Sequence, residues 1–158
     1  MSDTSNRELV MMRRFDAPRD LVFQAWTERE QVDQWWGPTG FRNETLEMDV
    51  RPGGMWRYIM HGPDGVDYPN RVVYCEVVAP ERLVYTHSSD IDNDAAAFQV
   101  TVTFSQQGDQ TVLTMHFVFT TAAQRQAVVQ YGAVEGGQQT LGRLAAYLTT
   151  NLIQSFAA

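Results

Sequence analysis

Three histidines, a few tyrosines and a single cysteine are the side chains of this sequence with the most chemistry to offer. His61, His87 and His116 show neither an HxH nor an HExxH spacing. Cys75 has no second sulfur to join it, so neither a cysteine-based zinc cluster nor an intrachain disulfide can form. No metal site and no cofactor are expected. There is no GxSxG, no Cys–His nucleophile signature and no phosphate-cradling loop; "DVRPGG", residues 49–54, reads as a hairpin turn. Cys75 lies inside the apolar run "RVVYCEVV" and reads as a small core residue rather than a reactive thiol. His61 directly precedes a turn, and His116 has the opposite parity to Leu113 and Met115, so both are assigned to the outside. That leaves His87, which shares parity with Leu83 and Tyr85 in "RLVYTHS". An imidazole there could orient a ligand or exchange a proton, and it could equally be a hydrogen-bonded core histidine.

The same parity argument gathers neighbours for it. "MWRYIMHG" puts Trp56, Tyr58 and Met60 on one face, and Phe104, Met115 and Phe117 from later segments share that side. An aromatic surface with Tyr58, Tyr85 and His87 as its few polar handles is the usual composition of a small-molecule site. For any one of these residues, core packing competes with ligand contact. "QVDQWWGPTGF" adds Trp35, Trp36 and Phe41; the tryptophan pair reads as a core stopper whose inner side doubles as cavity wall. Val134, Gly137 and Leu141 complete the candidate ligand-binding set from the C-terminal helix. No catalytic residue is assigned.

These residues need elements to position them. Glu8 to Phe15 has strand character. "RDLVFQAW" spaces its apolar residues as a helix, and Thr27 with Glu30 fits a capping box that starts a second helix running to Trp36. Six alternating segments follow, "ETLEMDV" (with Leu46, Met48 and Val50 on one side), "MWRYIMHG", "RVVYCEVV", "RLVYTHS", "FQVTVTF" and "TVLTMHFVF", separated by turn residues. From Val128 to Leu152 apolar residues recur every three or four positions, as in one long helix, with Gly132 and Gly136–Gly137 as places where it could bend. The expected class is α+β: a curved seven-stranded antiparallel sheet wrapped around a long C-terminal helix, with two short helices between the first and second strands. One helix about 10 Å wide cannot fill the concavity of such a sheet, so a cavity between them is the natural outcome. Residues 1–7 are read as a disordered tail and 8–158 as a single domain.

Composition narrows the functions. The net charge is −7, every one of the 12 basic residues is an arginine, and only Arg13 and Arg14 are adjacent. Phosphate backbones and anionic lipid surfaces call for clustered cations, so neither nucleic acid nor a membrane is an expected partner. "MSDTSNREL" has no apolar h-region and no apolar run approaches a membrane span, which leads to a cytoplasmic expectation.

Four stretches, "RRFDAPRDLVFQAWTEREQVDQWWGP", "DVRPGGMWRYIMHGPDG", "APERLVYTHS" and "EGGQQTLGRLAAYL", resemble the activator-of-heat-shock-chaperone-ATPase homologue family. That family belongs to the START/birch-pollen-allergen-like (SRPBCC) superfamily, and the resemblance covers nearly the whole chain. It implies a helix-grip fold, in agreement with the pattern above. In that family a large apolar residue commonly stands at the place of His87, and a tryptophan at that of Gly137. The resemblance implies three roles: a non-enzymatic binder of a hydrophobic or aromatic small molecule, a cyclase, dehydratase or hydrolase using the same cavity, or a chaperone-directed ATPase activator tied to the stress response. The name-giving co-chaperones carry a further N-terminal domain that 158 residues leave no room for. The first role is the expectation, with a homodimer through the outer sheet face left open.

Overall fold

The computed structural model describes residues 5–157, with side chains described to residue 150. The strands are β1 (Glu8–Phe15), β2 (Arg42–Met48), β3 (Met55–His61), β4 (Asp67–Val78), β5 (Arg82–Ser89), β6 (Phe98–Gln107) and β7 (Gln110–Val118). They form one curved antiparallel sheet in the order β1-β7-β6-β5-β4-β3-β2. The last strand therefore pairs with the first, and hairpins make every other neighbour. Helices α1 (Arg19–Thr27) and α2 (Arg29–Val32) separate β1 from β2; α3 (Ala122–Gln130) and α4 (Ala133–Ala157) follow the sheet. This is the expected helix-grip arrangement.

The alternation of β6 shows why the sheet forms. Val100, Val102 and Phe104 are buried while Gln99 and Ser105 face solvent, so one face is wholly apolar and must be covered. Leu141, Leu144 and Leu148 of α4 do that at three- and four-residue spacing. Trp26 of α1 and Trp35 close the end of the groove. Their rings meet edge to face at 5.2 Å, and the Trp35 indole Nε1 donates to the Ala25 carbonyl at 3.1 Å.

The structure departs from the sequence reading in several places, each for a local reason. Ser5–Arg7, read as tail, form a 3-10 turn, and Arg7 Nη1 donates to the Phe119 carbonyl at 2.9 Å; residues 1–4 lie outside the described residues. The capping box is not formed. Thr27 ends α1, donating its hydroxyl back to the Phe23 carbonyl at 2.9 Å, and Glu28 takes the N-cap position without a side-chain cap. α2 accordingly stops at Val32, four residues short of Trp36. In β2, Asn43 and Thr45 point inward and Leu46 outward, because the register shifts between Thr45 and Glu47. Cys75 is exposed rather than core: a similar shift between Tyr74 and Glu76 leaves it unpaired on the outer face. The last helix is two helices. Gly132 adopts φ +87°, and the N–H groups of Tyr131 and Gly132 turn back onto the Ala127 and Val129 carbonyls, ending α3.

Candidate functional site

A cavity of about 520 Å³ lies between the concave face of the sheet and the helices. That is well within the range of ligand sites. β3 contributes Tyr58 and Met60, β5 contributes Tyr85 and His87, and β7 contributes Met115 and Phe117. Trp36 closes one end, and Gly137 and Leu141 of α4 form the wall opposite the sheet. These nine belong to the set singled out from sequence. The other five stand elsewhere. Trp35 is fully buried behind Trp36, and Trp56 stacks on Tyr58 at 4.2 Å on the side away from the cavity. Phe104 packs on Phe23 at 5.2 Å, and Phe41 lies 6.0 Å from the Tyr68 ring. Val134 is half-buried on α4 and does not line the cavity.

Lining residues that sequence reasoning missed come from three sources. Phe98 and Phe119 share parity with Val100 and Phe117, so the alternation could have found them. Trp26 is on the apolar stripe of α1, but only the folded α1 shows that its ring reaches the cavity. Val128, Tyr131 and Gly136 arrive through the break at Gly132, which no periodicity announces.

Each wall has a traceable support. Trp36 meets four aromatic rings, among them Trp26 at 5.2 Å and Trp56 at 5.0 Å, all edge to face. The loop after it is tied to α4 by Arg143, whose Nη1 donates to the carbonyls of Gly37 at 2.8 Å, Pro38 at 3.1 Å and Trp36 at 3.4 Å. Burial lowers the pKa of that guanidinium. The short α2 is fixed to β2 by Asp33, which accepts from Asn43 Nδ2 at 2.8 Å, Thr45 Oγ1 at 2.6 Å and the Thr45 N–H at 3.2 Å. Trp56 Nε1 donates to Thr45 Oγ1 at 3.0 Å, so the same network aims the tryptophan that backs Tyr58. Gly137 lets α4 come close to β1: a Cβ there would overlap the Met11 Cε methyl. The missing side chain thus admits Met11, and the cavity survives beside it.

The polar chemistry centres on Tyr58 and His87. The Tyr58 hydroxyl and His87 Nε2 share a hydrogen bond of 3.0 Å. Burial lowers the His87 imidazole to about 4, with the negative charge of Asp94 opposing the shift. Burial also raises the Tyr58 phenol well above its usual range, the Trp36 indole opposing. Both groups are therefore neutral at physiological pH. His87 Nδ1 and Trp26 Nε1 are buried without a partner among the described residues. The other two histidines serve the surface. His61 lies between Asp67 at 2.7 Å and Glu44 at 2.8 Å, which raises its pKa, and His116 meets Glu8 at 2.7 Å. Among the described residues no group of three or more His, Cys, Asp or Glu side chains gathers as metal ligands do, and no helix is long and apolar enough to cross a membrane.

Comparison with known proteins agrees with this geometry. The family model described as "Activator of Hsp90 ATPase homolog 1-like protein" matches residues 16–149. The crystal structure of a Mycobacterium smegmatis protein superposes with a TM-score of 0.84 at 25% identity, covering 96% of each chain. A Nitrosomonas europaea protein superposes with a TM-score of 0.85 at 23% identity, over 94% of this chain and 98% of that one. A solution structure of an Arthrobacter aurescens protein gives 0.86 at 22% identity, over 95% and 90%. No curated protein matches the chain.

Proposed function

Because the chain belongs to the Activator of Hsp90 ATPase homolog 1-like family, whose model spans most of it, we propose that it is a stand-alone member that binds a hydrophobic or aromatic small molecule between sheet and C-terminal helix. The observation that carries this reading is the cavity of about 520 Å³ walled by aromatic rings, with a hydrogen-bonded Tyr58–His87 pair in its side. A core meant only for stability would fill that space with side chains, since interiors are close-packed.

The polar pair supports binding over proton transfer. A general acid or base works best with its pKa near the operating pH, and burial moves both groups away from it. A chaperone-directed role would use surface residues and would leave the cavity without a purpose.

Tryptophan fluorescence tests the reading. Trp26 and Trp36 line the cavity, so titration with a panel of flavonoids, aromatic polyketide-like compounds and fatty acids should give saturable quenching at micromolar concentration with at least one class of the panel, most of it lost in Trp36→Phe. A flat response across the panel, with the tryptophans also shielded from acrylamide, would sink the proposal.

A further inference from the structure

We infer that the cavity selects an uncharged aromatic molecule bearing a hydrogen-bond acceptor for the Tyr85 hydroxyl, and that it rejects carboxylates. The inference rests on the ligand-site reading above and goes on to assign the class of ligand.

The first ground is the charge of the walls. Among the described residues no aspartate, glutamate or arginine lines the cavity, and the chain has no lysine to send there. The charge felt by His87 is that of Asp94, a carboxylate held by the backbone N–H groups of Ser89 at 2.9 Å and Ala96 at 3.0 Å. Its sign repels an anion. Arg143 is on the helix that forms one wall, but its Nη1 is engaged by three backbone carbonyls and the residue does not reach the lining. An entering carboxylate would lose its water and meet no cation, which is strongly unfavourable.

The second ground is the shape of the apolar surface. Trp26, Trp36, Phe98, Phe117 and Phe119 all present rings to the space, and Phe117 and Phe119 lie within 5° of parallel at 6.2 Å. Planar rings in a ligand meet such walls by offset and edge-to-face contact, which aliphatic chains cannot do.

The third ground is Tyr85. Its side chain is buried, yet its hydroxyl has no hydrogen-bond partner among the described residues. Tyr85 is one of the residues that line the cavity, so a ligand there comes within reach of this hydroxyl. Burial holds the phenol protonated, which makes it a donor. A ligand carbonyl or ether oxygen satisfies it.

Isothermal titration of the full chain near neutral pH with methyl 2-naphthoate, 2-naphthoate and naphthalene tests all three grounds. The ester should bind at least about 100-fold more tightly than the carboxylate, which shares its rings and differs in charge. Tyr85→Phe should weaken the ester about fivefold and leave naphthalene unchanged. A carboxylate within about threefold of the ester, a difference below 1 kcal/mol, overturns the selection against charge and leaves the ligand site standing. Equal ester affinities for the wild type and Tyr85→Phe overturn the assigned hydrogen bond. Failure of all three probes to bind overturns the ligand site and this inference with it.

Discussion

His87 concentrates the tension in this molecule. It is a titratable ring on the inner face of a strand, 4.9 Å from Phe98 and hydrogen-bonded to a buried phenol. Folding holds its pKa near 4, against 6.5 for the free side chain. Between those values the unfolded chain binds more protons than the folded one, so the stability His87 contributes is complete above pH 6.5 and is lost as pH falls toward 4. The steepest part of that loss approaches about 1.4 kcal/mol per pH unit. Urea denaturation of the wild type and of His87→Gln across that window should give curves that converge on acidification, because the variant lacks the term. Parallel curves would mean that the imidazole is hydrated in the folded state. The placement of this residue was legible from sequence, since alternation alone sets it beside Leu83 and Tyr85. Its partner was legible only as a neighbour: nothing in the one-dimensional pattern pairs residue 58 with residue 87. That bond depends on β3 and β5 flanking β4 across the sheet.

At the scale of elements, strands were read well where side chains simply alternate and badly where a hydrogen bond overrides alternation. β6 runs true from Phe98 to Phe104. β2 does not, because Asp33 draws Asn43 and Thr45 inward and the bulge turns Leu46 out to 40% exposure. Asp33 comes from a different element, so its pull is invisible in the pattern of "ETLEMDV". The helical end of the chain shows the same limit. Three- and four-residue spacing from Val128 to Leu152 reads as one helix, and a single backbone angle at Gly132 divides it. A Cβ on Gly132 would meet nothing within 4 Å, so a substitution there is penalised by the backbone alone. Gly132→Ala should destabilise the fold by about 1–2 kcal/mol, the left-handed penalty for a residue with a side chain. Thermal denaturation measures this. An unchanged midpoint would show that α3 and α4 can join into one continuous helix at no net cost.

On the scale of the whole molecule, the cavity follows from layer geometry. A curved sheet offers more concave area than one helix can cover, and α4, α1 and the tryptophan loop leave a gap at the α3–α4 junction. There Tyr131 is 89% exposed and yet borders the cavity. α3 covers this side without burying any of its own side chains. It is held by polar ties instead: Thr121 caps it through the Gln124 N–H at 3.0 Å, and Arg125 Nε donates to the Glu8 carbonyl at 2.6 Å. Such bonds exchange for water at a small net cost, whereas an apolar face does not. Amide hydrogen exchange should therefore run faster in α3 than in β5, β6 and β7, by the difference between local and global opening; protection equal to that of the strands would contradict this. The consequence is kinetic. For the ligand proposed above, how tightly it is held would depend on the aromatic walls, whereas how long it stays would depend on how often α3 opens. Affinity and residence time would then be set by different parts of the chain, and a substitution in one would leave the other unaltered.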